Sequence, residues 1–300
     1  MILKSLAFFS GVCYTISSQA NGVKPMKIDH ESLIGTFEQK KAQVQQFNLM
    51  HDDFFAVVMQ DKAALQTTLR ILLSKADLIV NDVRVQYSVR NLVGHSAVLD
   101  VLAEDSTGKL YNIEVQVRNA DDYQKRTRYY QANMDVSFLR KGKHYSELPD
   151  IYIIFIASFD LFGKNDVRYE VKRVLDGYQE TVDNGVHELY FNTKANDHSE
   201  IAKLLQYFEN TDDSVRDFGA LSDAVRFYKG TEEVVSAVCD EVRRYGDNSA
   251  ERAHAEARVQ LVSNLMKNMD CSLEKALSVL GISTSEYQQY VELLDETKSA

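Results

Sequence analysis

Asp100, Glu114 and Gln116 are the side chains of this 300-residue sequence whose types and spacing could do chemistry together. Asp100 lies in the run AVLDVLAE (97–104), and Glu114 and Gln116 lie in LYNIEVQVR (110–118); both runs have the apolar, β-branched character of strands. Between them, Asp105-Ser106-Thr107-Gly108-Lys109 is rich in turn residues. A three-residue loop, Ser106-Thr107-Gly108, with Gly108 left-handed, is a common hairpin connection and makes Asp105 and Lys109 a cross-strand pair. Counting back along both strands then sets Asp100 opposite Glu114, with Cβ atoms roughly 4.5–5.5 Å apart. Gln116 shares that face because strand side chains alternate with a period of two. Two facing carboxylates repel unless something offsets the repulsion, and a divalent cation does so. Ligands that are all oxygens suit a hard ion, Mg²⁺ or Mn²⁺. Two other readings stay open at this point: a solvent-facing pair that meets no cation, and a register shifted by one residue, which would put the acids on opposite faces.

The elements that must hold this hairpin are also legible. Residues 48–73 place Phe54, Val57, Val58, Ala64, Leu65, Leu69 and Leu72 near a 3.6-residue stripe, predicting an amphipathic helix with Asp52 or Asp53 as its N-cap. A short apolar piece (77–80) and an alternating strand (83–89) precede the hairpin. Residues 121–139 lack Gly and Pro, start on an Asp-Asp cap candidate, and align Tyr123, Thr127, Tyr130 and Met134 on one helix face. The run IYIIFIA (151–157) is continuous and apolar, as expected of a central strand covered on both sides. The order is helix, three strands, helix, strand, in an α/β fold. Short strands are expected near 169–174 and 187–192, and a helix at 200–208. Charged helices are expected over 225–245 and 251–269. At the C-terminus, residues 272–287 suggest two short helices around Gly281, either a helix-turn-helix or a hairpin for packing and self-association. Lys and Arg are scarce there, which favours the hairpin.

Composition limits the remaining options. With 44 acidic against 34 basic residues the net charge is −10, so any nucleic-acid contact must come from a local basic patch. Cys13, Cys239 and Cys271 are far apart, and no His or Cys pair has metal-ligand spacing; a reducing cytoplasm fits best. Near the N-terminus, Lys4, an apolar stretch from Leu6 to Ile16, and small residues up to Ala20 imitate a secretory signal. Interruptions at Ser10, Gly11 and Thr15 weaken the imitation, and Met26 offers an alternative start. The stretch is too short to span a membrane as a helix, and none is expected.

The string AVLDVLAEDSTGKLYNIEVQVRN followed by QKRTRYYQANMD resembles the Rpn family of recombination-promoting nucleases and transposases, a branch of the PD-(D/E)XK nuclease superfamily. The likeness runs from about Asn48 to Tyr207. It implies a restriction-endonuclease-like αβββαβ core with a mixed sheet, followed by a helical C-terminal tail. On this reading residues 1–45 are an N-terminal extension, 46–230 the nuclease-like domain, and 231–300 the tail, which could form a homo-oligomer.

The resemblance further implies that Asp100 is the motif's Asp, Glu114 its second acid, and Gln116 the position held by Lys in most of the superfamily. A neutral Gln can only hydrogen-bond, so more of the work falls on the cation. The implied activity is metal-dependent DNA endonuclease cleavage tied to recombination or a mobile element, with Mg²⁺ (or Mn²⁺) held by Asp100, Glu114 and the Val115 carbonyl. Asp53 is the candidate accessory acid of the first helix. Arg118, Lys125, Arg126 and Arg128 are the candidate DNA contacts, with a solvated helix face as the alternative. Tyr129 and Tyr130 are expected in the core. A catalytically silent DNA-binding or assembly protein is the rival reading. A glycosidase is disfavoured by the hairpin context and the lack of aromatic sugar platforms.

Overall fold

A strand made of IYIIFIA has no polar face and must be covered on both sides. In the computed structural model, which describes residues 35–89, 97–119, 123–139 and 141–282, this run is strand β4 (Ile151–Ala157), buried along its whole length. Its period of two divides the molecule: Tyr152, Ile154 and Ile156 enter one core, and Ile151, Ile153 and Phe155 the other.

Five further strands complete the sheet: β1 (Val80–Val89), β2 (Ala97–Asp105), β3 (Leu110–Gln116), β5 (Arg168–Val171) and β8 (Val186–Asn192). Their order is β1-β2-β3-β4-β8-β5. The first three are antiparallel neighbours, β3, β4 and β8 run parallel, and β5 returns antiparallel on β8. The sheet is therefore mixed, as expected. A separate small ribbon, β6 (Val174–Leu175) with β7 (Glu180–Thr181), was not foreseen.

The hairpin register follows from its turn. Gly108 has φ +81°, and the β2–β3 partners run from Glu104↔Leu110 to Val101↔Ile113. The Asp105 carboxylate locks the loop: it accepts from the Thr107 N–H (2.8 Å), the Thr107 hydroxyl (2.7 Å), the Lys109 N–H (3.0 Å) and the Tyr111 hydroxyl (2.7 Å).

Helices α1 (Phe37–Gln45), α2 (Asp52–Met59) and α3 (Lys62–Leu73) lie on one face of the sheet, and α4 (Tyr123–Phe138) lies on the other. The first face is completed by α5 (Glu200–Phe208), α6 (Ala220–Tyr228) and the start of α7 (Glu232–Met269). The single helix expected over 48–73 is two. Its seven stripe residues are all buried, but Asp61 accepts from the Ala63 and Ala64 N–H groups and so starts a second helix after Gln60. The cap of α2 is His51, whose Nδ1 accepts from the Phe54 N–H; neither Asp52 nor Asp53 takes that role.

A second correction concerns the C-terminal half. The helix expected over 225–245 is interrupted between Tyr228 and Glu232, whereas α7 then continues for 38 residues through the break expected after Tyr245. Gly246 costs a helix about 1 kcal/mol, and the buried stripe Val235, Val238, Val242 and Tyr245 outweighs it. Through that stripe, the segment expected to begin a tail joins the main core. Lys229, fully buried at the α6–α7 junction, ties these pieces together by donating to the carbonyls of Phe47 (2.6 Å), Thr211 (2.8 Å) and Gln45 (3.2 Å). Beyond it, α8 (Leu273–Val279), capped by Ser272, packs Ala276 and Leu277 against Val262. The second short helix expected after Gly281, the Asp-Asp cap of α4 and the signal-like segment fall outside the described residues. Among the described residues no helix is long and apolar enough to cross a membrane.

Candidate active site

The candidate site forms where the β2–β3 ladder stops. Beyond Val101↔Ile113 the strands are joined by side chains instead of backbone pairs. The Asp100 N–H donates to Glu114 Oε1 (3.2 Å), and the Val115 N–H donates to Asp100 Oδ2 (3.4 Å). Each acid thus reaches to the other strand, although the paired register itself ends one step short of Asp100 and Glu114. In extended backbone a residue's N–H and C=O point to the same side, so the Val115 carbonyl is also turned toward Asp100.

Glu114 is completely buried, and Asp100 keeps partial exposure. Burial pushes the Asp100 carboxyl well above the usual carboxylate range, and the charges of Glu114 and Asp52 push it further; Arg126 and the Val115 N–H work against this. Burial likewise raises Glu114 to about 7, against the opposing pull of the Arg126 guanidinium. The pair therefore resists double ionisation. A divalent ion would relieve this, and the donors are all oxygens, so the site's chemistry fits Mg²⁺ or Mn²⁺.

Among the described residues, Arg126 brings a cation to the two acids. It projects from α4, donating from Nη2 to Glu114 Oε2 (3.3 Å), from Nη1 to Gln116 Oε1 (3.3 Å) and from Nε to the Tyr130 hydroxyl (2.8 Å). The rings of Tyr130 and Phe155 flank its guanidinium at 5.3 and 5.8 Å from their centroids. By strand alternation Asn112, Glu114 and Gln116 form one polar row facing α4, while Tyr111, Ile113 and Val115 enter the opposite core. Asn112 is fully buried, and neither end of its amide meets hydrogen-bond geometry.

The N-terminus of α2 adds a second acidic group. Possible ligand atoms of His51, Asp52 and Asp53 lie within 4.8 Å of one another. Asp53, the expected accessory acid, is 9% exposed, and burial, then the neighbouring Asp52, raises it to about 8. Of this group it is Asp52 whose charge, after burial and the charge of Glu114, adds to the upward push on Asp100.

Of the expected DNA contacts, Arg118, Lys125 and Arg128 are exposed, whereas Arg126 turns inward to the acids. The Arg118 carbonyl accepts from the Tyr123 hydroxyl, which fastens the end of β3 to α4. Tyr130 is buried in the core as expected, and Tyr129 packs partly buried against it.

Sequence reasoning missed the inward role of Arg126, although a signal was present. Arg126 is three residues after Tyr123 and four before Tyr130, which places it on the buried stripe of α4. An Arg there needs a buried acid.

A family model described as PD-(D/E)XK nuclease family transposase matches residues 53–266. Neither a curated protein nor a solved structure gives a match.

Proposed function

The chain belongs to the PD-(D/E)XK nuclease family transposases, and from that premise we propose that it is a DNA endonuclease that hydrolyses phosphodiesters with Mg²⁺ or Mn²⁺ during recombination or the movement of a mobile element. The observation that carries this reading is the convergence of the Asp100 and Glu114 carboxylates where the β2–β3 ladder ends.

Asp100, Glu114 and the Val115 carbonyl would hold the ion. A divalent ion bound there supplies Lewis acidity to the attacked phosphate and acidifies a water nucleophile. The other contributions come from the chain. Because Arg126 donates to Gln116 Oε1, the Gln116 NH₂ is the end left to donate, and it can orient a phosphate oxygen or a water. Arg118, Lys125 and Arg128, exposed on the β3 extension and α4, would hold backbone phosphates. The buried hairpin fixes the carboxylates, so little reorganisation is needed when substrate arrives.

One observation favours the rival, a silent DNA-binding protein that keeps the fold: Glu114 already has a cationic partner in Arg126. Supercoiled plasmid separates the two. Incubated with Mg²⁺, the wild-type protein is expected to nick or linearise it, EDTA to stop the reaction, and Asp100→Asn and Glu114→Gln to abolish it. Binding without cleavage by the wild type in Mg²⁺ and in Mn²⁺ would establish the silent reading; equal cleavage by all three proteins would place the active site elsewhere.

A further inference from the structure

We infer that Arg126 is a transferable counter-ion: it holds Glu114 while the cation site is empty, and it passes its guanidinium to the scissile phosphate once the cation takes the carboxylate. The inference rests on the nuclease reading above and gives its site a device coupling cation entry to phosphate recognition.

The three bonds of Arg126 are unequal, and the inequality defines a pivot. The bond from Nε to the Tyr130 hydroxyl is 2.8 Å, while those from the tips to Glu114 and Gln116 are both 3.3 Å. Charge-assisted N–H···O⁻ bonds normally lie near 2.7–2.9 Å, so the contact with Glu114 is loose for an ion pair. The base of the guanidinium is the fixed part, held by Tyr130 and flanked by Tyr130 and Phe155. Its tips are the part that can change partners.

Donor capacity also fits. A guanidinium carries five N–H donors, and the three bonds above leave two. The Arg126 side chain is 33% exposed while that of Glu114 is 0% exposed, so the guanidinium lies between the buried acid and solvent, where a phosphate would approach. Gln116 beside it is neutral, and among the described residues Arg126 is a cation in direct contact with both Glu114 and Gln116. Were the pair a permanent structural brace, a short, two-pronged bond to the carboxylate would be the expected geometry. A single long contact to one oxygen leaves Glu114 Oε1, on the Asp100 side, to other donors.

The test measures Mn²⁺ affinity by electron paramagnetic resonance or calorimetry, without substrate, beside steady-state cleavage of a short DNA duplex. Arg126→Gln removes the charge that competes with the cation, so Mn²⁺ is expected to bind about tenfold tighter. The same variant loses a donor to the reacting phosphate, so kcat is expected to fall about 100-fold, with KM changed far less. Arg126→Lys keeps the charge but loses the planar fork: Mn²⁺ affinity is expected near that of the wild type, with kcat still reduced. Folding of each variant is checked by circular dichroism, and if the Gln form does not fold, the Lys form carries the test. Unchanged or weaker Mn²⁺ binding by folded Arg126→Gln would overturn the inference, as would wild-type kcat in Arg126→Lys. Either result with an active wild type leaves the nuclease reading standing. A wild type that neither binds Mn²⁺ nor cleaves would overturn that reading, and this inference with it.

Discussion

Replacing Glu114 by Gln removes a charge that the fold disfavours, so the cation-free variant is expected to be more stable than the wild type in alkaline solution and equal to it in acid. Burial raises the Glu114 carboxyl from 4.5 to about 7. At 1.36 kcal/mol for each tenfold change in ionisation, holding Glu114 ionised beside Asp100 at pH 8 costs the folded state on the order of a few kcal/mol. That figure already contains the attraction of Arg126, which is one of the forces lowering the value to 7. The sign follows from linkage: a carboxyl raised in the folded state is a burden above its unfolded pKa and none below it. The wild type therefore loses this stability as pH rises from about 4.5 to 7, while Glu114→Gln does not. Thermal unfolding in EDTA between pH 4 and 8.5 measures the difference. At roughly 2–4 °C per kcal/mol for a chain of this size, the variant should melt several degrees higher at pH 8. Adding Mn²⁺ should raise the wild-type midpoint and leave the variant little changed. Melting curves that stay parallel across the pH range, or a variant less stable at pH 8, would refute the claim that Glu114 is a strained, functionally retained acid.

Asp53→Asn is expected to act in the same direction over a wider window, because burial takes Asp53 from 3.8 to about 8: its stabilisation should be absent near pH 4 and grow toward pH 8 in the same unfolding series. Lys229→Met leaves the carbonyls of Gln45, Phe47 and Thr211 without their shared donor and should lower stability by roughly 2–4 kcal/mol in urea titrations; a neutral result would mean those carbonyls find other partners. Arg118→Ala, Lys125→Ala and Arg128→Ala should each weaken binding to unrelated DNA sequences alike, and each should reduce the slope of log affinity against log salt by about 1, as loss of a phosphate contact requires.

The hairpin was legible in the sequence because one turn determines it. Gly108 permits the left-handed position, the loop length sets Asp105 against Lys109, and parity then carries the register to Val101 and Ile113, one step short of the two acids. Strand β4 and helix α5 were legible to the residue, since their apolar patterns are unbroken. The split after Gln60 was not, because no Gly or Pro marks it; only the bonds from Ala63 and Ala64 to Asp61 reveal that a new helix begins. The continuity of α7 was hidden for the opposite reason. Gly246 looks like a terminator, and it is overruled by packing on residues far away in the chain. Within the candidate site, the nearness of Asp100 and Glu114 could be read from local geometry. The partnership of Arg126 with Glu114 joins α4 to β3 across the sheet face and depends on the tertiary fold.

Calorimetric titration of Mn²⁺ into the wild type and into Asp100→Asn at pH 8 tests the central claim most directly. If Asp100 and Glu114 hold the catalytic cation, the wild type binds Mn²⁺ reversibly and Asp100→Asn binds it at least about tenfold more weakly. Undiminished binding by Asp100→Asn would contradict the account and move the cation to the group formed by His51, Asp52 and Asp53.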